Sequence, residues 1–158
     1  MENKNENNIN FSFLISNLHE KPKAIGTDKG LAKIGDGIVN FTYSVAKSIF
    51  LTQYKNSFHN PIREGEKVNK YVLSNALKNA KMRIYAKTRP DSHDLANTYE
   101  SLIAYVWLNG KISIIEIIEY LAEQFMDDIS DYKLERANSI EAFTNLMIHI
   151  KKFIPQIE

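Results

Sequence analysis

The sequence predicts an all-α protein of about six helices. Apolar residues recur at three- and four-residue steps along nearly the whole chain, and the runs end at Pro or Asn-Gly after helix-like lengths. Neither a hairpin signal nor an internal repeat interrupts them. With 158 residues, 44% of them hydrophobic, the chain can bury one ordinary core. A single domain over 11–158 is expected, preceded by a polar lead at 1–10 that predicts disorder.

The elements follow from local pattern. Phe11, Leu14, Ile15 and Leu18 mark a short helix that should end before Pro22, and Lys23 to Gly30 predicts a loop. From Leu31, residues Ile34, Ile38, Phe41, Val45 and Ile49 form the stripe of a buried helix face running to about Thr52. Val68, Val72 (or Tyr71), Leu73, Ala76, Leu77 and Ala80 outline a third helix ending near Tyr85. A fourth spans about Ser92 to Leu108, with Leu95, Leu102, Ile103 and Val106 inward, and stops at Asn109-Gly110. Ser113 should cap a fifth, carrying Ile114, Ile117, Ile118, Leu121 and Phe125. The β-branched run Ile112–Ile118 could begin a strand, but its continuation through Glu119, Leu121 and Glu123 favours helix. Ser139 should cap a last helix, about 139–154, with Ile140, Phe143, Leu146, Met147, Ile150 and Phe153 on its apolar side and Pro155 ending it.

The absence of cysteine removes disulfides and thiolate metal sites and suits a reducing compartment; with no secretory signal and no membrane-length apolar run, a cytoplasmic setting is expected. Charge is uneven. Residues 63–89 hold eight Lys/Arg against two acids, net +6, whereas 91–158 hold five against twelve, net −7. Taken alone such a basic block is ordinarily a solvated face. With Arg63, Lys67, Lys70, Arg83, Lys87 and Arg89 interleaved with Tyr71 and Tyr85, it also suits phosphate contacts.

Two acids stand out. Asp36 lies off the apolar stripe between Gly35 and Gly37, which leave its approach open, and Glu100 shares a helix face with Asn97, Ala104 and Trp107. Asp36, Glu100 and the amide of Asn97 are hard oxygen donors of the kind that hold a divalent cation at a phosphodiester. In isolation, a glycine-flanked Asp is more often a cap and a lone Glu a wet helix face. The histidines at 19, 59, 93 and 149 have no partner at ligand spacing, and neither a phosphate loop nor a nucleophile elbow is present.

Two motifs resemble the ribonuclease III family. Ile34-Gly35-Asp36 is similar to its Leu-Gly-Asp signature at a helix start, and Ala96-Asn97-Thr98-Tyr99-Glu100-Ser101-Leu102-Ile103-Ala104 to its Ala-Asp-x-x-Glu-Ala-Leu-Ile-Gly. Between them, Glu64-Gly65-Glu66 resembles the family's Glu-Gly-Asp, with Glu64 at the acidic position. The likeness covers roughly 25–125. Most of the family has glutamate where this chain has Ala32 and aspartate where it has Asn97. The Mini-ribonuclease III type, which also has Ala before the first motif, lacks the second aspartate and has no separate double-stranded-RNA-binding domain, is the nearer match.

That resemblance implies a magnesium-dependent endoribonuclease, with manganese able to substitute, acting on double-stranded or structured RNA, with ribosomal RNA maturation as its expected setting, and working as a homodimer. Asp36, Glu100 and Asn97 would hold the metal, and Glu64 would lie at the cleft edge. Arg63, Lys67, Lys70, Arg83, Lys87 and Arg89 would grip phosphates. The alternatives are a catalytically weak or inactive RNA-binding or ribosome-associated relative, and a helical dimerisation module without nucleic acid.

Overall fold

The computed structural model describes residues 10–158. The predicted disordered lead therefore lies, save for Asn10, outside the described residues. Among these residues the chain is all-helical: α1 (Pro22–Thr27), α2 (Lys29–Tyr54), α3 (Lys70–Asn79), α4 (Ser92–Leu108), α5 (Ile114–Gln124) and α6 (Tyr132–Ile150), with short 3-10 turns at Ser12–Leu14, Arg83–Tyr85 and Lys151–Phe153. None of these helices is long and apolar enough to cross a membrane.

The organising element is α4. It packs against α1, α2, α3 and α6, and it is buried on nearly every side, including Tyr99, Leu102, Ile103 and Val106. Its ends are fixed locally. Asp91 and Asp94 form a reciprocal capping box, each carboxylate accepting from the other's backbone N–H. Gly110 leaves the helix with φ 70°, a left-handed conformation that glycine adopts without strain. Ser113 caps α5 as its sequence predicts, by accepting from Glu116 N–H.

Four expectations need correction. The segment 23–30 is not a loop: it belongs to α1 up to Thr27 and, after the extended cap residue Asp28, to the first turn of α2. Pro22 opens α1, where its missing N–H costs nothing, and Gly26 lets the turn press on Tyr85, whose Cβ would lie 2.8 Å from any β-carbon at that position. The N-terminal segment, expected to be helical over Phe11–Leu18, makes only a 3-10 turn, with Ile15 and Leu18 buried. The third helix stops at Asn79; Lys81, at φ 60°, breaks it before the 3-10 turn that contains Tyr85. Ser139 caps nothing. It is buried in the middle of α6, which starts at Tyr132 under an Asp131 cap.

On α2 the buried face is rotated from the expected stripe. Leu31, Ala32, Gly35, Ile38, Val39, Thr42, Tyr43 and Ala46 face inward, whereas Ile34, Phe41 and Ile49 are exposed. The helix has two apolar faces, and only Ile38 of the predicted stripe lies in the core.

Candidate active site

The two sequence-distant acids meet at the crossing of α2 and α4. Gly35 packs onto the main chain of Glu100, close enough that a β-carbon at 35 would lie 2.8 Å from the Glu100 α-carbon and nearer still to its carbonyl. Glycine at 35 therefore serves the helix crossing as well as access to Asp36, while Gly37 opens onto free space. Thr98 and Ser101 of α4 donate to the Gly26 and Asp28 carbonyls at 2.7 and 3.0 Å, tying the α1–α2 junction to the same helix.

Beside this crossing lies a cleft of about 550 Å³, lined by Asp36, Asn97 and Glu100 with Ala32, Lys70 and Lys87. The three residues read from the sequence as a donor set thus share one cavity wall. Asp36 is exposed, Asn97 half-buried, and Glu100 only 7% exposed. Burial and the nearby negative charge of Asp36 push the Glu100 carboxyl up to about 7, while Lys70 and Lys67 pull it back. A glutamic acid poised near neutrality beside a second carboxylate is characteristic of functional sites. Ala104 and Trp107, placed on the same helix face as Glu100 by their spacing, do not line the cleft, whereas Thr98 and Ser101 do.

Asp36 is aimed by a residue that the motif reading passed over. Asn40 Nδ2 donates to Asp36 Oδ1 at 3.0 Å, and Asn40 Oδ1 accepts from Val68 N–H at 2.8 Å. Asn40 opens a ladder on α2. Ser44, Ser48 and Thr52, each four residues further on, accept the N–H groups of Glu66, Glu64 and Ile62 at 2.9 Å. Every second N–H of the 62–68 segment is thereby satisfied by one face of α2, which fixes the approach of Lys67 and Lys70 to the cleft. The signal was present as Asn40-Ser44-Ser48-Thr52 at four-residue spacing, yet polar residues at that spacing ordinarily mark a wet face.

Glu64 is not at the cleft edge. It binds Lys47, whose Nζ lies 2.9 Å from Glu64, 2.6 Å from Glu66 and 3.0 Å from Glu135. Lys47 is 3% exposed. Burial alone would depress its ammonium, but the hydrogen bonds to Glu66, Glu64 and Glu135 outweigh that and hold it above its ordinary value. Glu135 also accepts from Tyr43 Oη. The ladder that binds Glu64 N–H turns its carboxylate toward this buried cation, which removes it from the cleft.

Of the six basic residues, Lys70 and Lys87 line the cleft, and the charge of Lys67 reaches Glu100. Lys87 also pairs with Asp94 at 3.0 Å. Arg63, Arg83 and Arg89 are exposed but do not line the cleft. Sequence reasoning missed Lys29, Lys33 and His93, all cleft-lining.

The ribonuclease III family profile matches residues 29–156, four-fifths of the chain, from the first turn of α2 to the end of the last 3-10 turn and beyond. The chain belongs to the ribonuclease III family. No curated protein matches it. Membership of the ribonuclease III family suggests an RNA-cleaving role for this domain.

Proposed function

We propose that this protein is a metal-dependent endoribonuclease of the Mini-ribonuclease III type that cuts double-stranded or structured RNA at the Asp36–Glu100 cleft. The observation that carries the reading is the convergence of these two carboxylates, from helices far apart in sequence, in a cavity also lined by Lys70 and Lys87. Ala32 and Asn97, in place of two acids of the wider family, support the Mini type. Ribosomal RNA maturation in the cytoplasm is the finer term of the proposal and rests on that resemblance.

The residues present fit a divalent cation. Asp36, Glu100 and the Asn97 amide are hard oxygen donors; burial first, and then repulsion from Asp36, lifts Glu100 toward 7, and a shared dication would offset both by favouring the ionised carboxylates. Magnesium, or manganese in its place, supplies a Lewis acid that lowers the pKa of an attacking water and offsets charge on the scissile phosphate. The chain's own groups do the rest. Asn40 holds Asp36, Lys70 and Lys87 bind the strand's phosphates, and Lys67 draws the RNA toward Glu100, reading A-form shape rather than bases. Hydrolysis would leave a 5′-phosphate and a 3′-hydroxyl.

Cutting both strands requires two such sites, so we propose a homodimer, with the second apolar face of α2 as its interface. Ile34, Phe41, Val45 and Ile49 recur there at helical spacing, and Phe41 is 57% exposed. Phe41→Glu should leave the fold intact and give a monomer in light scattering; an unchanged dimer rejects that face.

The rival reading is a weak or inactive relative that binds RNA. It is favoured by the donor set, since among the described residues no group of three or more His, Cys, Asp or Glu could hold a metal. Incubation with labelled duplex RNA and magnesium decides between them. Cleavage by the wild type, lost on Asp36→Asn and on Glu100→Gln, supports the nuclease. Binding without cleavage supports the rival, and cleavage unchanged in both variants rejects the site.

A further inference from the structure

A second cavity, of about 480 Å³, opens between the start of α3 and the first turns of α6, and Lys70 lines both it and the Asp36–Glu100 cleft. Its wall carries three cations, Lys67, Lys70 and Arg136, and two acids, Glu66 and Glu135. The acids are already engaged, with Glu66 2.6 Å and Glu135 3.0 Å from the buried Lys47 ammonium. None of the three cations forms an ion pair among the described residues, where pairing involves only Lys47 and Lys87.

Arg136 is also held in place. Its guanidinium stacks over the Tyr71 ring, 3.9 Å from the centroid, so the side chain is ordered before any ligand arrives. A guanidinium fixed in this way offers a planar fork of donors, the geometry that suits a phosphate. It comes from α6, a helix that contributes nothing to the Asp36–Glu100 cleft.

We propose that this cavity is a second phosphate subsite for the RNA strand, continuous with the cleft through Lys70, with Arg136 as its anchor and Lys67 beside it. The inference rests on the reading of the cleft as an RNA site and extends it. The strand would pass from Asp36 and Glu100 over Lys70 to Arg136, which gives α6 a role in grip rather than in chemistry.

The test is equilibrium binding of a fluorescent RNA duplex to the full-length protein without magnesium, across a salt series. Wild-type affinity should fall with salt, and Arg136→Gln should bind about 5- to 10-fold more weakly with a salt slope smaller by about one ion. Arg136→Lys should recover most of the slope. Lys67→Gln, at an exposed position that cannot threaten the fold, should repeat the loss. If the wild type binds with a steep slope that Arg136→Gln leaves unchanged, the second subsite is overturned while the RNA reading stands, whatever Lys67→Gln does, since Lys67 also serves the cleft. If wild-type binding shows no salt dependence, the RNA reading fails and takes the subsite with it.

Discussion

Gly35 and Glu100 touch main chain to main chain, and this contact brings Asp36 and Glu100 to one cleft. An alanine at 35 would favour α2 intrinsically by about 1 kcal/mol, since glycine is a poor helix former. Its β-carbon would also press on the Glu100 backbone, which cannot swing aside as a flexible side chain can. Overpacking of that kind costs roughly 3 kcal/mol, so the clash wins. Gly35→Ala should lower stability in urea denaturation by about 2 kcal/mol, whereas Gly37→Ala, with open space around it, should be neutral or stabilising. Equal effects at the two positions would refute the role given to the crossing.

The neighbouring Glu100 carboxyl titrates at about 7 in the fold against 4.5 as an ordinary glutamate. Between those values the folded state holds a proton that the unfolded state has released, so stability falls as pH rises through this window and levels off above 7. The difference amounts to roughly 3 kcal/mol at most. Glu100→Gln abolishes the ionisation. Without added metal the variant should match the wild type near pH 4 and exceed it by about 2 kcal/mol at pH 8. A stability difference that does not change with pH would mean that Glu100 is not the strained group.

How much of this was legible follows the range of each interaction. The ends of α4 could be read because their causes are adjacent in sequence: Asp91 with Asp94, and Asn109 with Gly110. The donor set at Asp36, Asn97 and Glu100 was legible through motif resemblance, and the cleft brings it together. The face of α2 was not, because Thr42 and Lys47 are polar yet buried. Thr42 returns its hydroxyl to the Ile38 and Val39 carbonyls of its own helix, which lets a polar side chain face the core, and Lys47 is satisfied by three glutamates from outside α2, one of them on α6. The early start of α6 was hidden for a similar reason, since Tyr132, Lys133 and Leu134 are exposed and add nothing to its apolar stripe. Glu64 looked available for chemistry because Lys47, its partner, lies seventeen residues away on another element.

Asn40 joins the ladder to the site, and its two functions can be separated. Asn40→Ala removes the bonds to Asp36 and to Val68 N–H and should cost about 1 to 2 kcal/mol. Ser48→Ala breaks another rung, that of Glu64 N–H, and should destabilise by a similar amount. Only the first leaves Asp36 without its orienting partner. The manganese concentration for half-maximal binding, followed by calorimetry without RNA, should rise several-fold in Asn40→Ala and stay put in Ser48→Ala. Parallel shifts in the two variants would reduce Asn40 to a structural residue.

Lys47 poses the sharpest stability question, because it is a buried cation facing three carboxylates. Lys47→Met fills much of the same volume and removes the charge, which strands Glu135, whose side chain is 13% exposed. Breaking a buried ion pair from one side costs about 3 to 5 kcal/mol. Glu64 and Glu66 are nearly half exposed and can turn to water, so the low end of that range, about 3 kcal/mol, is expected. The sign with pH follows from Glu135. Burial raises its carboxyl, but the hydrogen bonds from Tyr43 and Lys47 outweigh that and hold it below 4.5, a contribution present above that value and lost as pH falls. Without Lys47 its share of this contribution is lost, the Tyr43 hydrogen bond alone remains against burial, and the stranded acid takes up a proton more readily. The deficit of Lys47→Met should therefore shrink as pH drops from 7 toward 4 in thermal unfolding. A deficit that stays constant over that range would show that the lysine acts through packing of its alkyl stem alone.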